Sequence, residues 1–238
     1  MYYLYNEDFN NYLDHPEIPL HSAKLILTDI PYNIGKDAYA SNPQWWKNGN
    51  IKDGYSSKAN TDFFNNDNAF DLDNFLKFCS DMIEDNGSCI IFCSYIQCYK
   101  IIEKMRSYGF KHYIPLVFIK NNSAEVLKVN MRIVGACEYG LQIYKNKLPE
   151  FKNNKKMIKN WFNFERIQKK LHPNEKPSNL IREFIELFTN ENDLVVDPCF
   201  GSGVVYKEAK KSNRCFIGFE ILEEYYNLVK EYKENENR

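Results

Sequence analysis

Short apolar runs separated by stretches of helical periodicity recur from one end of the chain to the other. An α/β architecture follows: a doubly wound, mostly parallel sheet covered by helices on both faces. The runs place seven strands near Tyr2–Tyr5, Leu25–Thr28, Ser88–Cys93, Tyr113–Ile119, Gly140–Tyr144, Leu194–Asp197 and Cys215–Glu220. Helices fit between them. Asp71–Asp85 carries Leu72, Phe75, Leu76, Cys79, Met82 and Ile83 at helical spacing and closes at Asn86-Gly87; Ile96–Ser107 closes at Tyr108-Gly109. Pro177 opens a third helix, and two more cover about Gly203–Lys211 and Leu222–Glu236.

The 238 residues, 44% hydrophobic and 26% charged, suit one domain spanning 1–238 with a small insert. With 16% aromatics, extensive disorder is excluded, and no apolar run approaches the roughly 20 residues of a membrane span, so no membrane partner is expected. The opening MYYLYNEDFN lacks the basic start and apolar core of a secretion signal, which points to the cytoplasm. Seven cysteines at 79, 89, 93, 98, 137, 199 and 215 contain no CxxC pair and read as buried free thiols, with no metal site expected.

A net charge of −1 hides a strong asymmetry. Residues 1–119 carry 10 Lys/Arg against 15 Asp/Glu, residues 120–176 carry 13 against 5, and residues 177–238 carry 8 against 12. Within the basic middle, Lys145, Lys147, Lys152, Lys155, Lys156, Lys159, Arg166, Lys169 and Lys170 interleave with Phe151, Trp161, Phe162 and Phe164. Cations alternating with flat rings suit a nucleic-acid surface, and equally a solvated Lys/Asn-rich loop. Residues 37–68, rich in Asn, Gly, Ser and aromatics, follow a strand end, where an active-site loop would sit.

Two strand ends carry chemistry. Leu194–Asp197 runs into Pro198-Cys199-Phe200-Gly201-Ser202-Gly203, a tight Gly-x-Gly turn before a helix, where a ligand can approach bare backbone. Tyr206 stands where the third glycine of the dinucleotide fingerprint would be, which disfavours a pyrophosphate. Glu220 ends the following strand, the usual place for a carboxylate that binds ribose hydroxyls, so a nucleoside cofactor without a pyrophosphate fits both features. At the other strand end, Thr28-Asp29-Ile30-Pro31-Tyr32 puts a carboxylate, restrained carbonyls and an aromatic face directly after a buried strand.

Taken together, these segments resemble the S-adenosylmethionine-dependent, amino-directed DNA methyltransferases. Asp29-Ile30-Pro31-Tyr32 resembles their (D/N/S)PP(Y/F) tetrapeptide, and Asp197–Gly203 their cofactor loop. His172-Pro173-Asn174-Glu175-Lys176-Pro177 is similar to their HP(T/N)(E/Q)KP segment. Tyr5-Asn6-Glu7-Asp8 and Phe118-Ile119-Lys120-Asn121 resemble two further strand ends, and the order is that of the family's β group. Ile30 departs from the usual proline, although isoleucine still supplies the main-chain carbonyl used there.

The resemblance implies a Rossmann-like methyltransferase fold with 37–68 as active-site loop and 145–172 as target-recognition insert. It implies that Asp29 and the Ile30 carbonyl accept hydrogen bonds from an amino group, with Pro31 restraining the turn and Tyr32 stacking on a flipped base. For S-adenosyl-L-methionine it assigns Asp8 to the adenine, Glu220 to the ribose, and Phe200, Gly201, Ser202 and Gly203 to a backbone cradle. Asp197 and Lys176 fall to the methionine amine and carboxylate. His172 is read as packing. Double-stranded DNA would meet Lys120, Arg132, Lys152, Lys155, Lys156, Lys159, Lys169 and Lys170. A homodimer and a cognate restriction endonuclease are the further partners the family brings into view. Asp at position 29 favours N6-adenine as target. The alternatives are N4-cytosine methylation and a DNA-binding homologue with impaired catalysis, for which Ile30 is the one sign; an NAD(P)-dependent oxidoreductase lacks both the third glycine and a hydride-transfer constellation.

Overall fold

The computed structural model describes residues 1–33, 70–121, 136–153, 157–164 and 175–235. Eight strands form one sheet among them: β1 (Tyr2–Tyr5), β2 (Ala23–Asp29), β3 (Ile83–Cys93), β4 (His112–Lys120), β5 (Cys137–Tyr144), β6 (Trp161–Phe164), β7 (Leu194–Asp197) and β8 (Cys215–Phe219). Their order is β1-β8-β7-β2-β3-β5-β4-β6, parallel except at β5, which is antiparallel to both β3 and β4. The α/β, mostly parallel expectation holds, but the seven strands expected become eight. The addition, β6, lies inside the basic segment and pairs in parallel with β4, Val117 opposite Trp161 and Lys120 opposite Phe164.

Among the described residues five α-helices cover the sheet: α1 (Leu72–Met82), α2 (Tyr95–Lys104), α3 (Ser178–Phe188), α4 (Val204–Lys211) and α5 (Glu223–Asn235). Side chains alternate across the strands as the pleat requires. Ile26, Cys89 and Ile91 face α1 and α2 in one core, while Leu25, Leu27, Ile90 and Phe92 face α3, α4 and Val229 of α5 in the other. None of the described helices is long and apolar enough to cross a membrane.

Local chemistry sets the helix ends. Asp71 caps α1 by accepting from the N–H groups of Asp73 and Asn74, and Ser94 with Gln97 forms a reciprocal capping box on α2. A short 3-10 turn continues α2 to Gly109, which is left-handed at φ 84°. Helix α1 ends at Met82, three residues before the expected Asp85. Ile83, although at helical spacing, pairs with Ala23 of β2 and starts β3. All seven cysteines are free thiols; Cys79, Cys89 and Cys93 are buried, but Cys137, the first residue of β5, is exposed, against the expectation of burial.

Candidate active site

From β2 the chain crosses towards β3, and from β7 it crosses the opposite way towards β8, although β2 and β7 are neighbours. A crevice opens at the carboxyl ends of parallel strands where connections diverge in this way. The two loops singled out in the sequence end there. Asp29 and Lys176 from one side, and Asp197, Gly201 and Ser202 from the other, line a single cleft.

The loop after β2 is held at every residue. Ile30 N–H donates to the Phe92 carbonyl at 3.2 Å, extending the ladder one step past Asp29, and the Ile30 side chain is 1% exposed in the core. Gln97 Nε2 donates to the Pro31 carbonyl at 2.7 Å, and Ser94 Oγ to the Tyr32 carbonyl at 3.0 Å. Asn33, at φ 51°, exchanges two hydrogen bonds with the backbone of Phe70, 2.9 and 3.2 Å. The proposed active-site loop 37–68 itself lies outside the described residues, but those two bonds join the chain on either side of it.

Asp29 Oδ2 meets the Lys176 ammonium at 2.7 Å. Lys176 is 4% exposed and also meets Glu138 Oε2 at 3.2 Å and the Tyr32 hydroxyl at 3.3 Å, so it sits between two carboxylates and a phenol. Lys120 forms a further ion pair with Glu138. Burial pulls the Lys176 ammonium down, but Asp29 and Glu138 outweigh it and hold it above the ordinary lysine range. Burial alone would raise Glu138, yet Lys176 and Lys120 bring it to about 2. Asp29 stays raised, chiefly by burial, and burial with the Asp29 charge pushes Tyr32 well up. Asp29 Oδ1 is buried and has no hydrogen-bond partner among the described residues, an acceptor left over for a donor.

Lys176, expected at a cofactor carboxylate, is thus the partner of Asp29. Glu138 was missed by sequence reasoning. Its only sign is that it is the one charged residue of Cys137–Tyr144.

On the other side of the cleft, the backbone is more committed than a cradle requires. Phe200 N–H donates to Phe219 O at 3.0 Å, Gly203 N–H to Phe200 O at 2.8 Å, and Gly201 N–H to Glu220 Oε2 at 2.9 Å. Three of the four expected N–H donors are therefore engaged within the protein. Gly203 serves packing: its φ is 70°, and a Cβ there would stand 2.5 Å from Val229 of α5. Ser202 is buried, and its carbonyl accepts from Lys207.

The carboxylates fit a ligand better. Glu220 is 8% exposed and also accepts from Leu222 N–H at 2.9 Å, which leaves lone pairs on both oxygens for hydroxyl donors. Asp197 is 2% exposed and accepts from Cys199 N–H at 3.1 Å. Burial drives Asp197 up to about 7 and raises Glu220. Neither forms an ion pair with a cation among the described residues, so a ligand bearing an ammonium and hydroxyls would supply what both lack. Asp8 is exposed at the end of β1, where its Oδ1 caps a 3-10 turn through Asn10 N–H, and its charge reaches Cys199 in the cleft wall.

The basic segment divides. Lys145 donates to the Ser80 and Ile83 carbonyls at 3.0 and 3.1 Å, tying β5 to the end of α1, and Lys147 pairs with Asp85 at 3.5 Å. Phe162 packs on Phe184, ring centroids 4.9 Å apart, and Phe164 is buried, so two rings of the island belong to the core. Lys152 and Lys159 are exposed, and Lys159 lies 5.2 Å over the half-exposed Trp161 ring. Lys120 is bound to Glu138 rather than free on a surface. Arg132, Lys155, Lys156, Arg166, Lys169, Lys170 and His172 lie outside the described residues.

A model of the N6/N4 DNA methylase family matches residues 23–231. The Type II methyltransferase M.HpaI of Haemophilus parainfluenzae is 27% identical, the alignment covering 91% of this chain and 69% of that one. The DNA adenine methyltransferase YhdJ of Escherichia coli K12 is 26% identical over 89% of this chain and 76% of its own. Among solved structures, the M1.HpyAVI–SAM complex superimposes with a TM-score of 0.70 at 26% identity, covering 98% of this chain and all of the other. The cytosine-N4-specific PvuII DNA methyltransferase gives 0.73 at 18% identity over 96% and 86%, a likeness of fold.

Proposed function

The chain belongs to the N6/N4 DNA methylase family, and we propose that it moves a methyl group from S-adenosyl-L-methionine to the N6 amino group of adenine in double-stranded DNA. The observation that carries this reading is the shared cleft. Asp29 with Lys176 lines one wall, and Asp197 with Gly201 and Ser202 lines the other, so a carboxylate that can accept from an amine faces a site for a nucleoside cation.

S-adenosylmethionine supplies an electrophilic methyl on a sulfonium and needs, from the protein, a counter-charge and ribose acceptors. Asp197 is assigned to the cofactor ammonium and Glu220 to the ribose hydroxyls, which suits two buried carboxylates that form no ion pair among the described residues. Asp8 is assigned to the adenine ring. An exocyclic amine is a weak nucleophile because its lone pair is delocalised into the base. The Asp29 carboxylate and Ile30 carbonyl act by accepting its hydrogens, which localises the pair on nitrogen as the new N–C bond forms and the C–S bond breaks. One N–H proton then leaves the product, and Asp29 is the carboxylate placed to take it. Tyr32 offers a ring face for the extruded base, its hydroxyl held by Lys176. Alignment is the remaining contribution, and the pinned carbonyls of residues 31 and 32 provide it.

An aspartate at position 29 and the adenine-specific name of one relative support N6-adenine. The test is to incubate the protein with unmethylated DNA and isotopically labelled S-adenosylmethionine, digest to nucleosides and identify the labelled species by mass spectrometry. Labelled N6-methyladenine is expected. Labelled N4-methylcytosine would replace the base assignment, and no labelled base beside intact cofactor binding would overturn the activity. Asp29→Ala should abolish labelling while retaining cofactor binding.

A further inference from the structure

Glu138 lies outside every motif that led to the site, yet it completes the charge arrangement around the catalytic loop. Its carboxylate is 3.2 Å from the Lys176 ammonium, opposite Asp29 at 2.7 Å, and is bridged on its far side to Lys120. Lys176 has a side chain only 5% exposed, so contacts within the protein hold it. Its place is set by the groups that face it: Asp29 from β2, Tyr32 from the following loop, Glu138 from β5 with Lys120 of β4 behind it, and the Phe92 ring of β3 at 5.1 Å. Cys93 of β3 also lies within range of its charge.

A lysine held by Asp29 alone could follow that carboxylate wherever the base drew it. A second anion from another strand fixes the ammonium, and a fixed ammonium fixes the Asp29 oxygen it binds. We propose that Glu138 is a positioning residue for methyl transfer: through Lys176 it anchors Asp29 Oδ2 and keeps the catalytic carboxylate in one orientation towards the target amine. The inference rests on the activity proposed above. It assigns β5, the antiparallel strand between β3 and β4, a part in the reaction.

The test compares Glu138→Gln, which preserves shape and a hydrogen-bond acceptor but removes the charge, with Glu138→Asp, which keeps the charge on a shorter stem. In the full chain, Glu138→Gln should lower kcat by about tenfold or more with the Kd for S-adenosylmethionine little changed. Its alkaline limb of kcat against pH should move down by about one unit, because Lys176 loses one of two anions that keep it protonated. Glu138→Asp should retain more activity than the isosteric amide, an order that packing alone would reverse. Wild-type kcat with an unmoved alkaline limb in Glu138→Gln would overturn the proposal, as would a better rescue by Gln than by Asp. Loss of cofactor binding in step with kcat would also overturn it, placing Glu138 in cofactor capture. Absence of methyl transfer by the wild type is a different failure, that of the activity itself. NMR titration of the Lys176 side chain in wild type and Glu138→Gln then still decides the coupling, and an unchanged Lys176 titration would refute it.

Discussion

The Gln97 side-chain amide donates to the Pro31 carbonyl at 2.7 Å, so the first turn of α2 grips the loop that carries Asp29. Ser94 does the same for Tyr32. Both residues also form the capping box of α2, and one set of polar side chains therefore fixes a helix end and the turn after Asp29 together. Gln97→Ala should lower kcat several-fold with unchanged cofactor affinity, since the turn loses its restraint and the cofactor wall is untouched. It should also cost about 1–3 kcal/mol of stability, the cost of stripping a donor from a partly buried carbonyl and half a cap from a helix. Denaturant unfolding and single-turnover kinetics on the same preparation check both; full activity in the variant would show that Gln97 serves the helix alone.

Asp197 gives the molecule a pH response of known sign. Its folded value of about 7 stands above the ordinary 3.8, so the folded chain binds a proton that the unfolded chain has released between those values. Its stabilising contribution is present in full below pH 3.8 and is lost as pH rises towards and through 7, at up to roughly 1.4 kcal/mol per unit. Cofactor affinity should run the other way, tightening as pH rises through 7 and Asp197 ionises to meet an ammonium. Asp197→Asn should flatten both profiles. Calorimetric titration of S-adenosylmethionine at several pH values measures the second; an unchanged pH dependence in the variant would remove Asp197 from the ammonium site.

Much of this site was legible in the sequence because strand-end loops leave local marks. Asp29, Pro31, Tyr32, Gly201 and Gly203 are read from neighbours along the chain, and the strands that precede them are apolar and short. Residues whose role depends on which strand lies beside which leave no such mark. Glu138 reaches Lys176 only because β5 inserts between β3 and β4, and Gln97 reaches Pro31 only because α2 starts where β3 ends beside β2. Ile83 has helical spacing and still joins the sheet, as pairing with Ala23 outweighs local periodicity. Phe162 and Phe164 were hidden among lysines, where the pattern of a recognition loop and that of a short edge strand coincide.

The lysines of the basic segment should separate in a salt titration. Neutralising Lys155, Lys156 and Lys159 together should weaken DNA binding and reduce the slope of log K against log salt by about one for each phosphate no longer neutralised. Lys145→Ala should leave that slope alone, because its ammonium is committed to the Ser80 and Ile83 carbonyls, and should instead lower the unfolding midpoint. Equal slopes in the wild type and the triple variant would remove these three lysines from the DNA surface.

Ile30 is where this chain leaves its family's pattern, and the structure supplies a physical reason. A proline has no N–H, whereas Ile30 N–H donates to Phe92 O at 3.2 Å and carries the β2–β3 ladder past the Asp29 carboxylate. Its side chain, 1% exposed, packs in the core beneath α1 and α2. The rigidity that a ring would give is thus replaced by a ladder bond and burial. Ile30→Pro should therefore not raise activity and should cost about 1–3 kcal/mol through the lost bond and poorer packing. Ile30→Ala keeps the N–H but opens a cavity, at about 2–5 kcal/mol. If transfer depends on the Ile30 carbonyl held in place, both variants should lose kcat while binding cofactor normally at temperatures where they remain folded. A more active Ile30→Pro would show instead that the isoleucine impairs the enzyme.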